Sequence, residues 1–227
     1  MNFRKPLVAA AAISALMSVA APAQAFSFLG ATSNADGSFS FASDTKVKFD
    51  FFASHGAYQS KFGVYSAAKD SALLETLFTE VQARDAGSGN HNDSKATCPV
   101  SVQPCNTSYK FLANVKYFFG LTAKEGAVEK KTVFTDPTEK SFNFVSGSET
   151  FDYYTNFKNN LGDRTKQTLT AAPGTTLIAV NDSWKGDRDY NDFIVKAEAV
   201  PEPGTIAALL GVGALGFVSR RRKANQA

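Results

Sequence analysis

Apolar and polar side chains alternate along most of the chain. Val47, Phe49 and Phe51 alternate with Lys46, Lys48 and Asp50, and Phe142 and Phe144 alternate with Ser141 and Asn143. A period of two buries one face of an extended strand and wets the other. Similar short runs occur at residues 39–41, 62–65, 111–119, 131–135, 167–170, 175–180 and 193–199, separated by Gly, Asn, Asp and Pro. Short strands with turn-rich spacers predict a mainly β domain, an antiparallel sandwich or jelly roll. Residues 70–83 break the pattern. Leu73, Leu74, Leu77, Phe78 and Val81 fall on one helical stripe with Asp70 as N-cap, which predicts one short helix packed on a sheet, strand being the alternative. Residues 86–105, polar and rich in Gly and Asn, read as a long surface loop.

The two ends of the chain have a different composition. Arg4 and Lys5 precede an apolar stretch over residues 7–21 and the small-residue site Ala23-Gln24-Ala25, the three parts of a secretory signal read by signal peptidase and the secretion machinery. Cleavage after Ala25 makes Phe26 the mature N-terminus. At the other end stand Pro201-Glu202-Pro203, an uncharged run over residues 205–219, and Arg220, Arg221, Arg222 and Lys223. The run predicts a short C-terminal transmembrane helix with the arginines as its cytoplasmic stop, which places the domain outside the cytoplasm. This order of motif, apolar run and basic end closely resembles the PEP-CTERM sorting tail of exported bacterial proteins. The resemblance implies an exosortase as partner, cleavage near Pro201-Glu202-Pro203, and release or transfer to the cell surface from a transient anchor in the inner membrane. It also implies a setting of exopolysaccharide production. The chain thus divides into a signal peptide (1–25), an exported domain (26–199) and a sorting tail (200–227).

Taking the targeting ends away changes the charge. Residues 26–203 carry 18 basic and 21 acidic side chains, so the basic balance of the whole chain belongs to its ends. A nucleic-acid reading, which needs a clustered basic face on the folded domain, thereby loses its main support. Eighteen of the 20 phenylalanines lie in that segment, enough aromatic surface to fill one core. Its two cysteines, Cys98 and Cys105, are close in sequence, and in an oxidising compartment this spacing predicts a disulfide closing a small loop. Metal binding by the pair is the weaker alternative.

The densest polar cluster spans residues 181–192, where Asp182, Asp187, Asp189 and Asp192 crowd together with Asn181 and Asn191. Carboxylates at this density repel one another unless a cation is shared, and calcium takes six to eight oxygens in flexible geometry. The candidate calcium ligands are Asp182, Asp187, Asp189, Asn191 and Asp192. The competing reading is an Asx-rich turn in which Asp182 and Asp192 cap backbone amides and Lys185 or Arg188 neutralises the charge. An EF-hand register starting at Asp187 and ending at Glu198 is opposed by Asp192 at the position that needs Gly, and by the β-branched flank. The stretch Gly186-Asp187-Arg188-Asp189-Tyr190-Asn191-Asp192 is similar to the signature of domain of unknown function 4114, as are residues 46–52 and the aromatic-Gly-aromatic turn around Phe62-Gly63-Val64-Tyr65. That family is found in exported bacterial proteins and implies no reaction.

Catalytic signals are sparse. His55 and His91, the two histidines, stand in no metal-binding or nucleophile motif. The sequence therefore reads as a non-enzymatic protein of the cell surface or extracellular matrix with an Asp-rich, calcium-stabilised loop. The alternative is a carbohydrate-binding module or polysaccharide-acting enzyme of that matrix, with Trp184 and the tyrosines as sugar platforms and extracellular polysaccharide as partner.

Overall fold

A computed structural model describes residues 26–55, 58–81, 94–95, 102–125, 127–155, 165–182 and 190–201. Its strands are β1 (Thr32–Ser33), β2 (Phe39–Ser40), β3 (Thr45–Ser54), β4 (Gln59–Tyr65), β5 (Leu73–Glu80), β6 (Ser94–Lys95), β7 (Val102–Gln103), β8 (Asn106–Phe111), β9 (Phe118–Glu125), β10 (Val128–Glu129), β11 (Val133–Phe134), β12 (Phe142–Ser146), β13 (Thr150–Thr155), β14 (Thr165–Thr170), β15 (Thr175–Val180) and β16 (Phe193–Val200). One six-stranded sheet has the order β10-β9-β4-β5-β7 with β11 added beside β9. The other has the order β12-β15-β16-β3-β6 with β8 added beside β3. All their strand pairs are antiparallel, as the alternating pattern predicts.

The core lies between these sheets. Val47, Phe49 and Phe51 of β3, Ile178 and Val180 of β15 and Phe193, Val195 and Ala197 of β16 meet Phe62 and Val64 of β4, Leu77 and Phe78 of β5 and Phe119 and Leu121 of β9. Phe119 sits at its centre, with ring centroids 4.8 Å from Phe39, 5.1 Å from Phe28, 5.3 Å from Phe62 and 5.9 Å from Phe49. Each such ring removed from water contributes roughly 1.5–3 kcal/mol. The phenylalanine-rich composition is thus the core itself.

The second sheet is covered on its outer face as well. The β13–β14 hairpin lays Phe151 and Tyr153 over Leu177, Ala179 and Ile194. Every residue of β15 is consequently buried. A bulge assists this layer. Between β16 and β3 the register passes from Ile194↔Ala53 to Val195↔Phe51, so Phe52 is an extra residue. It shifts the phase of β3, and Ala53 joins the outer cluster although Val47, Phe49 and Phe51 face inward.

Residues 70–83 depart from the expected helix. Asp70–Ala72 form a single 3-10 turn, and β5 follows at once. Two register shifts against β4 explain the misleading stripe, because Phe62↔Phe78 is followed by Gly63↔Thr76, and Val64↔Glu75 by Tyr65↔Leu73. Leu77 and Leu74 are the extra residues. Each insertion breaks the period of two and leaves apolar residues spaced as on a helix. Phe62-Gly63-Val64-Tyr65 is likewise not a turn but part of β4, where Gly63 stands opposite Gly120 of β9. A Cβ on Gly120 would lie 2.6 Å from the Tyr65 ring, so this pair gives the ring its seat. No helix among the described residues is long and apolar enough to cross a membrane. Residues 1–25, expected to be a signal peptide, and residues 202–227, with Glu202, Pro203 and Arg220, Arg221 and Arg222 of the expected membrane stop, lie outside the described residues.

Candidate functional site

Strand directions bring several chain ends together at one end of the sandwich. Ala53 near the end of β3 stands opposite Ile194, Val180 at the end of β15 stands opposite Phe142 and Phe193, and Thr79 of β5 stands opposite Lys61 of β4. The segment 181–192 therefore leaves and re-enters the sandwich here. It is tied down by three hydrogen bonds donated by backbone amides. The Asn181 amide donates to the Ser141 carbonyl at 2.8 Å, the His55 amide to the Asn191 carbonyl at 3.0 Å, and the Asp182 amide to Asp192 Oδ2 at 2.8 Å. The last of these makes Asp192 a side-chain clamp across the mouth of the segment, the role the Asx-turn reading assigns it.

Of the five candidate ligands, Asp182, Asn191 and Asp192 are thereby brought together, and Asp187 and Asp189 lie outside the described residues. Asn181 and Asn191 are buried and Asp182 and Asp192 half-buried. Among the described residues no group of three or more His, Cys, Asp or Glu converges closely enough to hold a metal ion. The chemistry of the described part still suits a hard cation, since its side chains offer oxygen. An EF-hand is excluded, because Ile194 and Glu198 belong to β16 and not to an exit helix.

Tyr190 returns the chain to the sandwich in the left-handed region, with φ 51°. A non-glycine residue there costs about 1–2 kcal/mol. Its hydroxyl donates to the carbonyl of Lys140 at 2.9 Å, and Lys140 is itself left-handed at φ 53°. Two strained residues thus clasp one another beside the segment.

The structure adds a residue that the sequence did not single out. Glu80, the last residue of β5, is fully buried at this end. The Ser60 amide donates to its Oε2 at 2.6 Å, and the Gln59 side-chain amide donates to its carbonyl at 2.6 Å. Its Oε1 has no hydrogen-bond partner among the described residues. Burial pushes the Glu80 carboxyl up to about 8; the Ser54 hydroxyl and the Ser60 amide and hydroxyl oppose the shift, and the charge of Asp192 adds to it. His55 is also buried and stacks on Tyr153 at 5.6 Å. Glu80 escaped the sequence reading because the helical stripe placed Leu77 and Val81 inward and left it on the wet side.

A groove of about 470 Å³ opens next to this end. Edge strand β12 contributes Phe142, Asn143 and Phe144 to it, facing Phe26, Asn34, Glu149 and Tyr190. Phe26, the expected mature N-terminus, is stacked on Phe144 at 4.2 Å. Of the two cysteines, Cys105 lies just before β8, its carbonyl accepting from the Phe51 amide at 3.0 Å. Cys98 lies outside the described residues, as do His91 and Trp184.

At the opposite end β16 finishes at Val200 and the chain leaves the sandwich. Residues 199–223 match the PEP-CTERM protein-sorting motif. Fold and tail together define an antiparallel β protein that is exported and sorted by an exosortase, anchored in the membrane before processing. No curated protein matches the chain. Among solved structures it is similar to the Chromobacterium violaceum lectin CV2L, determined in complex with alpha-methyl-fucoside, at 12% identity over 74% of this chain and 97% of the lectin, with a TM-score of 0.30. A likeness at that score carries no weight for fold or ligand.

Proposed function

We propose that the sandwich is a non-enzymatic protein of the cell surface or extracellular matrix, with a calcium-stabilised loop at the end remote from its sorting tail. The observation that carries this reading is the sorting match, which begins at Ala199 in the last strand, so that cleavage near Pro201 would fall just outside the sandwich. The loop carries the calcium part. Asp182, Asn191 and Asp192 are gathered at its mouth, and Asp187 and Asp189 complete the proposed oxygen set. Similarity of this stretch to domain of unknown function 4114 belongs to the same proposal. So does a Cys98–Cys105 disulfide, which an oxidising compartment would form.

Extracellular modules bind calcium at roughly 10⁻⁴ to 10⁻³ M. At ten times the dissociation constant, binding to the folded state alone adds about 1.4 kcal/mol, which a thermal melt resolves. The processed domain, residues 26–199, is expected to melt higher in millimolar calcium than in chelator. Asp187→Ala and Asp189→Ala are expected to abolish the increment, whereas Asp152→Ala, on the hairpin beside Lys166, should retain it. Superimposable melts in calcium and chelator, with no heat on titration, would reduce the loop to a hydrogen-bonded turn.

The groove favours a second reading, a carbohydrate-binding module. Aromatic rings beside amides and a carboxylate are the surfaces on which sugar faces and hydroxyls are held. Binding of the producer's own polysaccharide, lost in Phe142→Ala, separates this reading from the first.

A further inference from the structure

The end from which the tail departs has a surface that the core does not account for. Val200 closes β16 opposite Lys46 of β3, and the neighbouring Thr45 stands opposite Phe111, the last residue of β8. The connection from β8 crosses to β9, whose first residue Phe118 stands opposite Tyr65, and Tyr65 stands opposite Leu73. These pairings place Leu73, Leu74, Leu112, Val115 and Val200 at one end of the sandwich. They are 46%, 46%, 49%, 40% and 38% exposed, five of the seven large apolar side chains left in solvent among the described residues.

Chain length decides what meets this end. The uncharged run of the tail begins at Thr205, so four residues, 201–204, separate the sandwich from it. At no more than about 3.6 Å per residue they reach about 14 Å. The headgroup layer of one leaflet takes up roughly 5–8 Å of that distance. Even with the linker fully extended, the sandwich can stand no more than roughly 6–9 Å beyond the headgroups while the tail is inserted.

We infer that this end is a membrane-resting surface, on which the exposed leucines and valines enter the headgroup region of the bilayer that holds the uncleaved tail. The inference rests on the sorting-tail reading. The contact is mainly apolar, because Lys110 is matched to Asp44 at 2.8 Å and Lys116 to Asp36 at 3.0 Å, which leaves Lys46 beside Val200 and Lys69 ahead of Leu73, fewer than a polybasic patch needs. It therefore forms on zwitterionic lipid and persists in high salt, unlike a polybasic patch. Seating the sandwich this way presents the Pro201 segment at the membrane surface, within reach of an integral membrane enzyme.

Bromolipid quenching of single tryptophans in the full-length precursor tests this. Trp184, the one tryptophan, is replaced in a Trp184→Phe background. Leu112→Trp and Val115→Trp then report on the tail end, and Val128→Trp, 62% exposed beside the far end of β9, is the control. In phosphatidylcholine vesicles brominated near the headgroup, quenching at 112 and 115 is expected to be at least twofold that at 128, and unchanged in 1 M salt. The precursor should also stay with the membrane through an alkaline wash. If it stays and the three positions are quenched alike, the resting surface is wrong and the tail reading survives. If it washes off, both are overturned. Concentration-dependent emission shifts at 112 in the lipid-free processed domain would assign the face to a second copy of the chain and overturn the membrane assignment.

Discussion

At the loop end of the sandwich a carboxylate, a histidine and two amides are packed out of solvent, whereas at the tail end Leu73, Leu74, Leu112, Val115 and Val200 are left in it. Each arrangement is unfavourable for an isolated domain. A buried carboxyl must be held neutral or supplied with partners, and clustered exposed aliphatics invite association. The aromatic core between them has neither defect. The contrast teaches that the two ends carry opposite chemistry, buried polar groups at one and exposed aliphatics at the other, which is what the proposed loop site and membrane-resting surface would each need.

The strongest way to break this comparison is to attack the core that the two ends share. Phe119→Ala is expected to cost about 3–5 kcal/mol, read as a shift of a single urea transition. Two separate transitions would show that the ends are independent units. A smaller effect is expected from Glu80→Gln. The folded carboxyl titrates near 8 against an ordinary value of 4.5, so its favourable contribution is whole below about pH 4.5 and is lost as pH rises toward 8. The amide should leave acid stability unchanged and, in chelator, raise the melting temperature at pH 8 by roughly 5–10 °C. Equal melting of the two proteins at pH 8 would mean that Glu80 ionises freely. The smallest effect belongs to Leu112→Asp, which should alter the stability of the soluble domain by no more than about 0.5 kcal/mol. A larger loss would place Leu112 in the core and remove it from the exposed end.

The sandwich was legible wherever strands are regular. Alternation in β3, the uncharged run of β15 and the wealth of phenylalanine all found their places, whereas β12 is a strand whose Phe142, Asn143 and Phe144 are equally half-buried and whose neighbour Ser141 is buried. It failed at β5, where two bulges turned a strand into an apparent helix and hid Glu80 with it. No local signal identifies such a carboxyl, because its burial comes from the neighbouring sheet edge and from segments distant in sequence. The loop was legible in part. Composition marked residues 181–192, and Asp182 and Asp192 do meet. That His55 and Ser54 lie under the same end depends on register, which pairwise patterning cannot supply. The outer hairpin was equally hidden, although six consecutive uncharged residues in β15 are the mark of a strand covered on both faces.

Strand β16 is the last to be synthesised and exported, yet its place is in the middle of its sheet, between β15 and β3. Almost the entire mature chain separates it from β3. Until it arrives, β3 and β15 each wait with an open apolar edge, and pairings so far apart in sequence form slowly. The clock of assembly therefore starts only when the final residues of the domain emerge. The sorting tail follows β16 directly, and anchoring of the unprocessed chain through it would hold the closing strand in place while the sheet completes around it.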